Sequence, residues 1–326
     1  TFPLEEFPST FQNDVDAWCN RLAMDGVFDD DAPVRPSRPA TIIHRRFQIR
    51  MMASAIVRQG VPIDKIISLA DLVELENFQR GIQFLMDRHD DTVTEAVFTL
   101  ATGIKSIARY QVKVGDHHLE RLKRLCSRLD QKAGRHRKKN KDRLAQFDDR
   151  HNLSRLLAIP NWLIQKAKDP GPKPRSSALL IQSAVAIETL LFCPMRIGNL
   201  ASLDIDQHLR WVKHGREQRL LITIPGEQVK NGTPLYYELS GPSAEIMRHY
   251  IDEVRPSLSN TPCTALFPKL DGKTKNPGEL SNQIKRHIFA ETGLTVNAHL
   301  FRSLASKIHN LVHAGDAATI SHVLGD

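Results

Sequence analysis

TLLFCPMRIGNLASLDI, at residues 189–205, joins the end of an apolar helical pattern to a second apolar run. One arginine, Arg196, lies at the junction, and Leu200, Leu203 and Ile205 follow it. The pattern predicts that Arg196 lies at the edge of a buried core. It leaves open whether Arg196 has a chemical role or only caps the preceding helix.

Downstream of Arg196, the pattern changes from helix to two short strands. QRLLITI at 218–224 and PLYYELS at 234–240 flank a turn that contains Asn231-Gly232. This dipeptide is the strongest short signal for a β-hairpin, and Lys230 precedes it directly. The sequence therefore predicts an antiparallel hairpin that carries Lys230, which could also be an ordinary exposed turn lysine.

A histidine and an arginine share one helix face near the end of the chain. In NAHLFRSLASKIHN, at 297–310, His299 and Arg302 are three residues apart, so both side chains project from the same side. The sequence ends in ISHVLGD at 320–326, an apolar segment with Gly325 where helices commonly stop. Separately, His299 could be a residue of the first helical turn and Arg302 a surface charge.

The remaining patterns predict a mainly α protein with a small antiparallel sheet. Before residue 145, helical patterns occur at 41–60, 63–70, 71–88, 92–113 and 116–133. After it they occur at 152–168, 176–193, 242–255, 279–292 and 299–313, on both sides of the hairpin. We predict a helical domain at 40–149 and an α+β domain at 150–326.

Charge is distributed unevenly along the chain. The sequence has 45 Lys and Arg against 37 Asp and Glu, a formal net charge of +8. Residues 121–143 alone carry eleven basic and two acidic side chains, whereas residues 1–31 carry eight acidic side chains and one basic. We predict an acidic arm at 1–39 and a basic junction at 121–143 for a polyanion, although a solvated helix face is the alternative.

Composition excludes several classes of protein. Hydrophobic residues make up 41% and charged residues 25%, as in folded globular proteins rather than disordered or collagen-like chains. The four cysteines are widely spaced and lack zinc-site spacing, which favours a reduced cytoplasmic protein without a structural metal or cofactor. No apolar run approaches the ~18 residues of a membrane span, so no membrane partner is expected.

Arg196, the hairpin lysine, the H-x-x-R pair and the terminal L-G dipeptide, in this order, resemble the tyrosine recombinase (phage integrase) family. The resemblance covers roughly residues 150–326, and the helical first half resembles the core-binding domain of that family. It implies a site-specific DNA recombinase or integrase of a mobile element, acting in the bacterial cytoplasm or nucleoid. Such an enzyme breaks and rejoins double-stranded DNA, as a tetramer on two duplexes, through a 3′-phosphotyrosyl intermediate.

The resemblance also implies a role for each basic residue. Arg196 and Arg302 would clamp the non-bridging oxygens of the phosphoryl transition state, without a metal. Lys230 would protonate the leaving 5′-oxygen, and His299 would hydrogen-bond the phosphate or assist proton transfer.

The sequence departs from the family pattern at three places. Asn199 stands where a carboxylate is usual, although an amide could partly replace it from behind the site. The terminal box reads L-G-D, so Asp326 replaces a histidine or tryptophan, and His322 is a candidate substitute one helical turn earlier.

The third departure concerns the nucleophile. All four tyrosines, Tyr110, Tyr236, Tyr237 and Tyr250, precede the H-x-x-R pair. The catalytic tyrosine of the family follows the terminal box, so we predict that this chain is truncated before it and cannot cleave. A DNA-binding accessory or regulatory protein that retains the fold without catalysis is the alternative.

Candidate DNA contacts are basic residues on predicted helices and in the junction. They are Arg45, Arg46 and Arg50 in the first domain, Arg135, Arg137, Lys138, Lys139 and Lys141 in the junction, and Lys285 and Arg286 in the second domain.

Overall fold

The chain divides into two compact units, Thr1–Lys139 and Asn140–Asp326. The computed structural model describes residues 1–25, 36–169, 173–215, 217–312 and 323–324, excluding the side chains of 131–141, 214 and 311–312. The division between the units falls inside a helix, ten residues before the boundary at 149/150 that the sequence predicts. Each unit has its own hydrophobic core.

All the regular secondary structure in the described part of the first unit is helical. Its helices are α1 (Ser9–Ala23), α2 (Pro39–Arg58), α3 (Leu69–Val73), α4 (Leu75–Asp87), α5 (Glu95–Ile107) and α6 (Asp116–Ala145), the last of which continues into the second unit. Short 3₁₀ turns at Leu4–Glu6 and Ile63–Lys65 and a π turn at Ala108–Val112 lie between them.

Part of the predicted acidic arm belongs to the core of the first unit. Phe11, Val15 and Trp18 of α1 are buried because they share one helix face, while the carboxylates of α1 are half-buried or exposed. One of those carboxylates, Asp14, accepts a hydrogen bond from the Leu69 backbone at 2.7 Å and so holds α1 against the start of α3.

The second unit surrounds a small sheet with helices. Its helices are α7 (Arg150–Lys168), α8 (Pro174–Phe192), α9 (Ile197–Ala201), α10 (Ile205–His208), α11 (Gly241–His249), α12 (Pro277–Thr292) and α13 (Ala298–Val312). Its strands are β1 (Leu209–His214), β2 (Glu217–Ile224) and β3 (Leu235–Leu239). Short 3₁₀ or π turns occupy Gln146–Asp148, Gly226–Gln228, Tyr250–Val254 and Arg255–Leu258.

The three strands form an antiparallel sheet in the order β1-β2-β3. Leu220, Ile222 and Ile224 of β2 point into the core, and their alternation with exposed or half-buried residues follows the two-residue period of a strand. The predicted hairpin is therefore confirmed. The edge strand β1 was not predicted, because LRWVKH lacks a clear alternation of apolar and polar residues.

Helix α8 forms the centre of the second core. Ala184, Val185 and Ile187 are almost fully buried along it. It is also the one described helix with the length and apolarity to cross a bilayer, but half of its most apolar window is buried inside the protein. A helix that is apolar on nearly all sides and covered by its own domain is typical of a protein core.

Local signals fix the ends of α12, the helix that packs against α9. Asn276 and Glu279 form a capping box at its start, and Pro277 occupies its first turn. Gly293 ends it with a φ of 70°, in the left-handed region that glycine tolerates best.

Candidate functional site

Arg196 follows a buried three-residue segment, 193–195, that leads out of α8, and it is the N-cap residue of α9. Cys193 and Met195 are fully buried, and the Met195 N–H donates to the Cys193 carbonyl at 2.6 Å, which turns the chain sharply. The half-exposed Arg196 guanidinium donates through Nη2 to Oδ1 of Asn231 at 3.2 Å. The structure thus brings Arg196 to the turn between β2 and β3.

Lys230 is exposed in that turn. The turn is tight, because a Cβ at Gly226 would lie only 2.3 Å from the Gly232 carbonyl oxygen. Val229 is fully buried beneath it and anchors the backbone next to Lys230. The lysine therefore projects from a fixed backbone while its ammonium group remains accessible to a substrate.

Arg302 is the buried member of the predicted set, with 4% of its surface exposed. Its Nη1 donates to the Pro194 carbonyl at 3.1 Å and to the Leu324 carbonyl at 2.6 Å. Pro194 lies two residues before Arg196, and Leu324 lies in the terminal L-G-D box. The guanidinium thus connects three segments that the sequence identified separately.

His299 is exposed one turn before Arg302 on α13. Both side chains line a cavity of about 650 Å³, together with Leu144, Ser303, Ser306, Lys307, Asn310 and Leu324. Lys307 is held at its edge by ion pairing to Asp148. The predicted histidine and arginine therefore face one open cavity.

The terminal box is also tied to the hairpin. The Tyr237 hydroxyl on β3 donates to the Val323 carbonyl at 2.9 Å, next to the residue that Arg302 contacts. This role of Tyr237 was not predicted from the sequence, since no local pattern joins residues so far apart in the chain. Asp326 and His322, the tentative members of the box, lie outside the described residues.

Asn199, which occupies the position of the usual family carboxylate, is 7% exposed. Among the described residues its Nδ2 has no hydrogen-bond partner. Burial of an amide donor without an acceptor is unfavourable. The departure at Asn199 therefore leaves a buried amide donor without an acceptor among the described residues. A carboxylate at this position would not carry that donor.

Glu188 of α8 is half-buried, and its charge acts on Cys193. Burial raises the pKa of Glu188, and the hydrogen bond from Ser243 Oγ only partly opposes that effect. Burial, with a smaller contribution from Glu188, raises the pKa of the Cys193 thiol, which makes it a poor nucleophile.

Tyr250 is unsuited to act as a nucleophile. Its side chain is fully buried, and burial raises the pKa of its hydroxyl group above the ordinary range. The hydroxyl donates to the Leu266 carbonyl at 2.8 Å and accepts from Gln182 at 3.1 Å. Its role is to satisfy polar groups in the core.

The predicted DNA contacts of the first unit have partners within that unit. Arg46 forms an ion pair with Asp16 of α1, and Arg45 donates to Gln48 at 2.9 Å while lying over Gly103 of α5. Arg50 lies 5.6 Å from the centre of the Phe47 ring.

The other predicted contacts lie in α6 and α12. Lys285 and Arg286 are exposed on α12. The side chains of the junction residues lie outside the described part of the chain; these are Arg135, Arg137, Lys138, Lys139 and Lys141.

The sequence matches a known protein family, and the fold is similar to that of solved structures. A family described as the phage integrase family matches residues 161–325, which is half of the chain. No curated protein matches the sequence significantly. The fold is similar to that of a lambda integrase fragment (75–356), solved as a dimer bound to a COC′ core site, with a TM-score of 0.54 and 12% identity over 97% of this chain and 91% of that chain.

Two further solved structures were compared. A lambda integrase tetramer bound to a Holliday junction has a TM-score of 0.50 and 13% identity over 96% of this chain and 76% of that one. The XerH recombinase in a pre-cleavage complex with difH has a TM-score of 0.43 and 12% identity over 86% and 87%. At 12% and 13% identity, the likeness to the two lambda integrase structures concerns the fold alone.

Proposed function

The chain belongs to the phage integrase family, and on this premise we propose that Arg196, Lys230, His299 and Arg302 are the groups with which it breaks and rejoins DNA. Family membership makes the protein an enzyme of the site-specific recombinase type. The observation that carries the residue assignment is the Arg302 guanidinium, which contacts both the backbone next to Arg196 and the terminal box.

The chemistry begins at the phosphodiester. Attack on phosphorus concentrates negative charge on the non-bridging oxygens, and two guanidiniums stabilise that charge by paired hydrogen bonds. Arg302 acts from a nearly buried position, where the low dielectric strengthens the interaction. Arg196 acts from the start of α9, once its hydrogen bond to Asn231 is exchanged for the phosphate.

Proton transfer involves the two exposed members of the set. Lys230, on the tight hairpin turn, donates a proton to the departing 5′-oxygen, which would otherwise be a poor leaving group. His299, on the same face of α13 as Arg302, hydrogen-bonds the phosphate or accepts the proton of the attacking hydroxyl. The covalent intermediate is a 3′-phosphotyrosyl bond.

Duplex DNA is the proposed substrate, and a tetramer on two duplexes the proposed assembly. Lambda integrase has been solved as a dimer bound to a core site and as a tetramer bound to a Holliday junction. The net charge of +8 supports a polyanionic partner. We place the protein with the DNA of a bacterial cytoplasm.

A second candidate is a DNA-binding accessory protein that retains the fold without the chemistry. The unpaired Asn199 amide favours it, because it marks a change at a position that supports the site in the family. The two candidates differ in whether the protein becomes covalently attached to DNA.

The test is covalent attachment of the full natural protein to a nicked recombination site in the presence of EDTA. We expect attachment with the wild type, loss with Arg196→Ala, and normal attachment with Lys166→Met, whose lysine is paired with Glu291. An absolute requirement for Mg²⁺ would refute the mechanism, and absence of attachment under all conditions would favour the accessory protein.

A further inference from the structure

Three basic side chains gather at a place that the proposed chemistry does not use. Arg175 opens α8, Lys275 lies just before α12, and Arg286 lies on α12. The charges of Arg175 and Arg286 both act on Lys275. Within the described part of the chain, none of the three forms an ion pair with a carboxylate.

Lys275 is held in this place by neutral groups. Its Nζ donates to Oε1 of Gln182 and to Oε1 of Gln283, two residues that are 0% and 9% exposed. Both glutamines are fixed in turn, because Gln283 donates to Ser183 Oγ at 2.7 Å and Gln182 donates to the Tyr250 hydroxyl at 3.1 Å. A buried polar network thus positions an ammonium group without neutralising it.

The nearest opposite charge is already engaged. Glu279 favours the charged form of Lys275, but its carboxylate lies 3.5 Å from Lys269 Nζ and accepts a hydrogen bond from the Asn276 backbone at 3.2 Å. Burial, opposed by Glu279 and reinforced by Arg175 and Arg286, lowers the pKa of Lys275 to about 8. Like charges held together in this way destabilise a fold unless an anion binds between them.

The cluster is separate from the proposed catalytic groups. Gln182, which holds Lys275, lies about 15 Å along the α8 axis from Phe192 at the Arg196 end, at ~1.5 Å per residue. Successive phosphates on one DNA strand advance about 3.4 Å along the duplex axis. An anion bound by the cluster is therefore several nucleotides away from a phosphate held by Arg196 and Arg302.

We infer that Arg175, Lys275 and Arg286 bind a backbone phosphate of the duplex, away from the reacting phosphate. The inference rests on the proposed function and extends the predicted contact at Arg286 to two residues that the sequence did not indicate. A phosphodiester fits because the three side chains supply positive charge and, among the described residues, none of them is ion-paired with a carboxylate. The contact fixes the DNA on the second unit without selecting its sequence.

The experiment measures binding of the full chain to a short duplex of arbitrary sequence at several salt concentrations. Lys275→Met is expected to weaken binding roughly threefold or more at low salt and to reduce the slope of log K against log salt by about one. Its Tm is expected to fall, because the buried Oε1 atoms of Gln182 and Gln283 lose their donor. Arg286→Gln, on an exposed position, is expected to give the same loss of slope without a change in Tm.

The matched control is Arg219→Gln, which removes an arginine already paired with Glu217 and Glu238 in the sheet of the same unit and is expected to change neither quantity. The inference is overturned if Lys275→Met and Arg286→Gln both bind with the wild-type slope, or if the control loses as much slope as they do. A wild type that fails to bind any duplex at low salt would instead contradict the proposed function itself.

Discussion

At the scale of single residues, Arg302 combines a structural role with a chemical one. Its guanidinium hydrogen-bonds the carbonyls of Pro194 and Leu324 and also faces the cavity beside His299. An arginine offers five N–H donors in a fixed plane, so one side chain can hold the backbone and still bind a phosphate.

The first prediction concerns that double role. Arg302→Ala is expected to lower cleavage roughly 10²–10³-fold, because it removes a preorganised donor to the transition state. It is also expected to destabilise the fold by about 1–3 kcal/mol, since two carbonyls lose their donor. Covalent attachment and urea unfolding measure the two effects.

The variant Arg302→Lys separates the effect on cleavage from the effect on stability. Lysine keeps the charge but cannot reproduce the planar fork, so we expect cleavage to stay low while part of the stability returns. Wild-type cleavage by this variant would show that charge alone is sufficient at this position.

The second prediction concerns Glu188, whose pKa is raised by burial. The folded state binds its proton more tightly than the unfolded state, so this stabilisation is complete below the unfolded pKa. It is lost as pH rises through the folded pKa. Glu188→Gln is expected to reduce the fall in the urea midpoint as the pH rises above the ordinary carboxyl range.

The matched control for Glu188 is Glu245→Gln, on neighbouring α11, for which the same pH dependence as the wild type is expected. Equal pH dependence in Glu188→Gln and the wild type would mean that Glu188 does not control this part of the profile.

At the scale of elements, the turn of the β2–β3 hairpin has little space for an added side chain. The third prediction is that Gly226→Ala displaces the turn, because its Cβ would lie 2.3 Å from the Gly232 carbonyl oxygen. We expect a destabilisation of about 1–3 kcal/mol and a loss of cleavage as Lys230 moves.

Gly198→Ala provides the comparison in a neighbouring element. Nothing lies within 4 Å of a Cβ at Gly198, which lies in α9 two residues after Arg196. It is expected to leave stability nearly unchanged or slightly raised, because alanine favours a helix. Equal effects of the two substitutions would show that the turn tolerates a side chain at Gly226.

The elements differ in how far their sequences predicted them. α8, α12 and the β2–β3 hairpin have caps, glycines or alternating residues within a few positions, so local reasoning located them. β1 was missed because strand pairing, rather than its own residues, makes it a strand. Its Trp211 lies 4.2 Å from Arg248 of α11, a contact that no local pattern contains.

The residues of the site likewise differ in how far the sequence predicted their positions. The order of Arg196, Lys230, His299 and Arg302 along the chain was sufficient to suggest a family, but not to place Arg45 or Arg46, whose partners come from other helices. The position of Lys275 depends on glutamines in α8 and α12, far from it in sequence. Such contacts are decided by tertiary packing.

At the scale of the whole molecule, the two units have separate cores. The fourth prediction is that residues 1–139, produced alone, remain helical and unfold cooperatively, because the core of this unit lies entirely within that range. Circular dichroism and urea unfolding measure this. Residues 24–139, which lack Phe7, Phe11, Val15 and Trp18, are the comparison, and we expect them to be much less stable.

An equal stability of the two fragments would contradict the burial of α1 and restore the view that residues 1–39 form an independent arm. A fragment 1–139 without cooperative unfolding would show that the first unit depends on the second for its fold.

The Arg302 contacts determine which positions around the site can change their side chains without losing a hydrogen bond. Both of its acceptors are main-chain carbonyls, which every amino acid carries, so the identity of the side chains at Pro194 and Leu324 is not what the guanidinium recognises. Saturation mutagenesis at these two positions should therefore tolerate residues that preserve the chain path, whereas position 302 should accept few alternatives. Members of the family can then keep these contacts while the side chains at both acceptor positions diverge.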